Sequence, residues 1–259
     1  MSEGSKIFPP QEDLLFAMLR FNAQMELMFH SRTEVSFALE HSRDALVGRS
    51  EEMWRQLHTK GKLGEAVLDL EDLVGSRILG EWGAEFSVKT SNARLDAAAI
   101  VFAHSLLDIV LHKYCEISFR IEPSAWIDLV RERQIKVRSL LEKGASAALE
   151  EIASDYVSQL ERESLGAKID RLHTVCKPSP KANYVESFVF SSTELTDFDE
   201  TRHQIIHGTK FSDVTSRTGQ FLEFALKAGV YFGKMVAARH SLNLKDQMDR
   251  MRPRLAEVL

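Results

Sequence analysis

Cysteine, proline and glycine are all scarce in this chain of 259 residues, at two, six and thirteen copies. The cysteines, Cys115 and Cys176, stand in no metal-ligand spacing, which argues against a disulfide framework and a paired-cysteine zinc motif and points to a reducing compartment. So few helix breakers, beside many Leu, Ala, Glu, Lys and Arg residues, favour helix. Positive charge is not in excess. The formal net charge is −5, so the chain as a whole is not a polyanion binder, and any contact with nucleic acid has to come from a local patch. Long hydrophobic runs are missing too. The most apolar stretch, Ala97 to Val110, is interrupted by His104 and Asp108 and is too short to span a bilayer. Met1 to Gln11 has no apolar core of signal-peptide length. These absences predict a soluble cytoplasmic protein with no membrane partner. A phosphate-cradling glycine loop and a nucleophile elbow are also lacking, and with no paired-cysteine zinc motif an ATP-driven or zinc enzyme is disfavoured.

What the chain does have is helical periodicity. Apolar residues make up 44% and charged residues 27%, an ordinary globular balance. The length suits one large domain, or a domain with an extension. Apolar positions from Leu14 to Phe29 recur at helical spacing, and Glu51 to Leu79 reads as more helix with a break at Gly61 and Gly64. Turn formers between Gly80 and Ser91 predict a boundary near residue 90. Asn92 to Ile121 is the strongest helix, with an apolar face wide enough to be buried on most sides. Pro123 ends or restarts the chain, and Ser124 to Lys143 and Ser146 to Val175 read as further helices. Around Val185 to Phe190 an irregular, extended stretch is expected. Ser191 and Glu194 then fit a capping box opening a helix that stops at Gly208, and Gly219 to Asn243 is a last amphipathic helix. The expected class is all-α, divided into residues 1–90 as an N-terminal helical extension, 91–245 as a helical bundle and 246–259 as a charged tail.

The penultimate of these helices carries Asp-Glu-Thr-Arg-His-Gln-Ile-Ile-His-Gly at residues 199–208. Arg202 and His207 are the candidate catalytic pair, with His203 beside them. A guanidinium is permanently charged and its planar fork fits phosphate oxygens. An imidazole can accept or donate a proton near neutral pH. Together they suit metal-free chemistry on a phosphodiester. Five steps along an ideal helix rotate by about 140°, so Arg202 and His207 do not share a face unless the last turn is distorted or two copies of the domain combine. Leu195, Phe198, Ile205 and Ile206 are expected to form the buried face, with Arg202 on that side. A buried arginine needs an anionic partner, and Asp108 on the central helix is the candidate.

Asp108 also lies in the row His104-x3-Asp108-x3-His112. Neighbours at i and i+4 can chelate one ion, but residues eight apart lie about 12 Å apart along the axis and no fourth ligand is evident, so no metal is assigned. Arg131, Arg133, Lys136 and Arg138 form a basic cluster that can contact RNA backbone. Asp128, Glu132 and Glu142 allow the alternative of a solvated, charge-balanced helix face.

The Arg-His-x3-His pattern late in an all-helical layout resembles the motif of the HEPN superfamily, the higher eukaryote and prokaryote nucleotide-binding domains, over about residues 90–245. The resemblance implies an all-α HEPN-like bundle acting as a metal-independent endoribonuclease that needs no cofactor. Arg202 would hold the scissile phosphate, His207 would serve as general base or acid, and His203 would orient either group. It also implies an acidic residue on the first core helix to orient the arginine, which Asp108 matches by helix position. Attack by the ribose 2′-hydroxyl would leave 2′,3′-cyclic phosphate ends. The implied partners are RNA, a second copy of the chain in a homodimer, and an antitoxin or regulatory protein, in the setting of a toxin–antitoxin pair or antiviral defence. The rival expectation is a non-catalytic helical module that binds RNA, nucleotide or a protein.

Overall fold

A computed structural model describes residues 9–59, 70–130, 144–177, 184–185, 188–208 and 214–245. Among these residues the fold is all-α, with no strand. The helices are α1 (Pro10–His41), α2 (Arg43–Thr59), α3 (Leu70–Ile121), α4 (Pro123–Ile127), α5 (Ala145–Gln159), α6 (Leu165–Cys176), α7 (Ser192–Ile206) and α8 (Thr218–Arg239). Short 3₁₀ turns follow α4 and α5.

The predicted punctuation holds at several points for identifiable reasons. Pro123 occupies the first turn of α4, where its missing N–H costs nothing. A further glycine, Gly144, enters α5 at a φ of 81°. Ser191 Oγ accepts from Glu194 N at 3.3 Å at the start of α7. Gly208 closes that helix at a φ of 70°, with its N–H on the Ile205 carbonyl at 3.1 Å.

One expected break is absent. Gly80 to Ser91 form no turn: α3 continues through them as one helix of 52 residues. An isolated glycine costs a helix only about 1 kcal/mol, and the propensities of its neighbours make up that loss. Residue 90 is therefore not a boundary of secondary structure. The longer helix also changes the length estimate made from Ala97 to Val110. Glu81–Ile121 is long and apolar enough to cross a membrane by length and composition, and 56% of its most apolar window is buried inside the fold. The break expected at Gly61 and Gly64, the cluster Arg131, Arg133, Lys136 and Arg138, and the tail 246–259 lie outside the described residues.

The chain forms two compact units, residues 1–25, 102–199 and 221–259 in one, and residues 26–101 and 200–220 in the other. In the first unit, Leu107, Leu111, Tyr114 and Ile117 of α3 are buried with Leu172 of α6, Phe198 of α7 and Phe232 of α8. Close approach of helices is built in. A Cβ on Gly229 of α8 would lie 2.3 Å from the Phe21 ring of α1, and one on Gly233 would lie 2.8 Å from Met18. Phe198 stacks on Phe221 with centroids 5.5 Å apart, while Phe190, from the irregular segment before α7, meets Phe232 edge-on at 5.2 Å. In the second unit, Arg32 Nε donates to the buried Asp96 Oδ1 at 2.5 Å, joining α1 to α3. Ala84, Ala97, Ile100, Ile205 and Val214 supply buried apolar surface there.

Candidate active site

Arg202, His203 and His207 all belong to the second unit, at the C-terminal end of α7. His203 and His207 are one turn apart, and the bond from His207 N to His203 O at 3.1 Å keeps the last turn regular up to that point. Both side chains are exposed, and their ring centroids lie 4.2 Å apart at an interplanar angle of 54°. The two imidazoles therefore share a face. Arg202, five residues before His207, is half-buried, and its Nε is shielded from solvent with no hydrogen-bond partner. No ion pair engages this guanidinium among the described residues. The apolar face of α7 is narrower than expected. Leu195, Phe198 and Ile205 are buried, but Ile206 is exposed because it falls in the turn that Gly208 peels away.

The polar row on α3 is divided among three separate partners, all in the first unit. His104 Nε2 is hydrogen-bonded to Asp199 Oδ1 of α7. Asp108 Oδ1 accepts from Lys168 Nζ of α6 at 2.6 Å, and Lys168 also reaches the Glu161 carbonyl at 3.3 Å. His112 Nε2 lies 3.3 Å from Glu116 Oε1. Together with Lys113, that bond from His112 holds the Glu116 carboxyl down to about 2, against the opposing effect of its partial burial. No group of three His, Cys, Asp or Glu side chains gathers to hold a metal ion among the described residues.

Lys168 was missed by sequence reasoning, although a signal was present. It lies on the apolar stripe of α6 between Leu165, Ile169 and Leu172, and a lysine in such a stripe needs a buried counter-ion. The partnership of His104 with Asp199, 95 residues away, has no comparable signal.

A second polar cluster in the first unit involves Ser118, His240 and Glu122. Ser118 Oγ is 3.0 Å from His240 Nε2, and Glu122 Oε2 is 3.7 Å from His240 Nδ1. Ser118 is fully buried and accepts the Trp126 indole N–H at 3.2 Å, so the cluster clasps α3, α4 and the end of α8 and offers no exposed nucleophile. Cys176 and Cys115 are buried free thiols. Burial pushes both up, Cys176 to about 12, far from the thiolate form that attacks substrates.

What the motif presents chemically is thus an exposed imidazole pair, one turn apart, beside an arginine without a counter-ion among the described residues. No protein-family model, curated protein or solved structure matches this chain.

Proposed function

We propose that this protein is a metal-independent endoribonuclease of the HEPN toxin and defence type, with Arg202, His203 and His207 as its working residues. The observation that carries this reading is the exposed His203–His207 pair with centroids 4.2 Å apart. Two imidazoles at that distance can divide acid and base roles around one phosphate. One takes the proton from the ribose 2′-hydroxyl as the 2′-oxygen bonds to phosphorus. The other gives its proton to the 5′-oxygen as the P–O5′ bond breaks. The products are a 2′,3′-cyclic phosphate and a 5′-hydroxyl, and DNA is not a substrate because it lacks the attacking group.

Arg202 has no carboxylate partner among the described residues, which leaves it to balance the charge that develops on the phosphate. The helical offset of about 140° between Arg202 and His207 is accommodated in a homodimer, where one copy's arginine serves with the other's histidines. A cytoplasmic location and restraint by an antitoxin or regulatory partner belong to the same proposal.

A second reading rests on the same offset together with the acidic composition. The chain is then a non-catalytic helical module that holds RNA, nucleotide or a protein.

Incubating the purified protein with total RNA in the presence of EDTA separates the two. Cleavage giving cyclic phosphate ends, lost in Arg202→Ala and His207→Ala, supports the nuclease. Intact RNA with every partner-free preparation supports the module.

A further inference from the structure

The net charge of −5 requires any nucleic-acid contact to be local, and the second unit contains such a place, whose lining includes neither His203 nor His207. A groove of about 1050 Å³ runs along α3, with Arg43 of α2 and Thr215 of the segment after α7 among its walls. Phe86, Lys89, Thr90, Ala93 and Arg94 recur at helical spacing, so they line one face of α3. Phe86 is 72% exposed, an unusual position for a large aromatic ring. Arg43, Lys89 and Arg94 are exposed, and among the described residues none of them has a carboxylate partner. They outnumber Glu85, the acidic residue in the lining. Asn92 also lines the groove, and its Oδ1 is shielded from solvent with no hydrogen-bond partner.

We propose that this groove binds a single strand of RNA, with the backbone phosphates on Arg43, Lys89 and Arg94 and a base laid against Phe86. An exposed ring beside unpaired cations is what single strands require, since every base offers a face for stacking and every linkage carries a charge. A duplex would keep its bases stacked on one another and leave Phe86 uncovered. An acidic peptide would satisfy the cations but make no use of a flat aromatic surface or of an amide oxygen waiting for a donor. An exocyclic amine of a base supplies that donor. The choice of RNA over DNA rests on the nuclease reading above; the preference for a single strand does not.

The test is fluorescence anisotropy with a labelled oligocytidylate of roughly 12 nucleotides, whose bases carry the exocyclic amine, using His207→Ala protein so that the probe survives. Combined Arg43→Glu, Lys89→Glu and Arg94→Glu should weaken binding about tenfold or more and make the slope of log K against log salt shallower by about 2, near 0.7 per lost phosphate contact. Phe86→Ala should weaken binding several-fold and leave the slope unchanged. All four side chains are exposed, so circular dichroism and Tm should match the parent. The proposal is overturned if the parent does not bind the oligonucleotide, if the charge reversals leave affinity unchanged, or if poly-glutamate competes as well as RNA. Groove-independent binding with cleavage that needs His207 would remove this proposal and keep the nuclease. Groove-dependent binding without cleavage by the wild type would do the reverse.

Discussion

The imidazoles of His203 and His207 face one another across one turn of α7, with ring centroids 4.2 Å apart, and both are open to solvent. Neither ring is needed to bury surface, so their contribution to function can be tested without disturbing the fold. His207→Ala should lower RNA cleavage by about 100-fold or more, as for the loss of a general acid or base. His203→Ala should do the same if the pair shares proton transfer. Tm should stay within a few degrees of the wild type in both. Cleavage at the wild-type rate by either variant would count against its assigned role.

Arg202 and Asp108 are expected to separate in a stability measurement. Asp108→Asn leaves the fully buried Lys168 ammonium without its counter-ion and should cost roughly 3–5 kcal/mol. Lys168→Met keeps the length of the stem without the charge and should cost less. Arg202→Ala removes a shielded donor with no partner among the described residues and should cost under about 1 kcal/mol while abolishing cleavage. Arg202→Lys should fold well and cleave poorly, because it keeps the charge and loses the fork. Urea unfolding of the four variants, read beside an RNA cleavage assay, checks this ordering.

Close packing between α1 and α8 predicts intolerance at Gly229. A methyl there would meet the Phe21 ring at 2.3 Å, and that ring is buried. Gly229→Ala should destabilise the protein by about 1–3 kcal/mol despite the better helix propensity of alanine. Gly219, where nothing lies within 4 Å of an added Cβ, is the control and should be neutral or slightly stabilised by the same change. Thermal melts of the two variants would decide it.

Acid sensitivity should appear in two steps. Burial holds His173 and His240 below the ordinary value of 6.5, with Asp170 opposing the shift at His173, and with Glu122 opposing and Arg239 adding to it at His240. Above 6.5 both forms of the chain keep these rings neutral and stability is full. As pH falls below that value the unfolded chain takes up protons first, so stability declines until the lowered folded values are passed. Glu116, lowered from 4.5 to about 2, adds stability that is present above 4.5 and is lost as pH falls through about 2. Urea midpoints from about pH 7.5 to about pH 5 should therefore fall, and His240→Gln should reduce the slope in that range.

Cleavage, where it is observed, should continue in EDTA, since the proposed proton transfers run between imidazoles and substrate oxygens. Activity that disappears with chelator and returns with Mg²⁺ or Mn²⁺ would require a different mechanism.

Local chemistry was legible in the sequence by itself. The capping serine Ser191, the left-handed Gly208, the proline at the start of α4 and the wide apolar face of α3 act within a turn or two of chain, and their spacing alone determined helix type and several helix ends. The proximity of His203 to His207 belongs to the same class, because residues four apart on a helix are neighbours whatever surrounds them. Partnerships between helices were decided by the tertiary structure. The carboxylate of Asp108 had been matched to Arg202 by helix position, but Lys168 occupies it, because α6 brings a fully buried ammonium to α3 and a buried charge takes the nearest counter-ion. The unbroken passage of α3 through Gly80 and Ser91 is local instead: turn-forming residues bias the backbone by only about 1 kcal/mol each, and the helix propensities of their neighbours make up the loss.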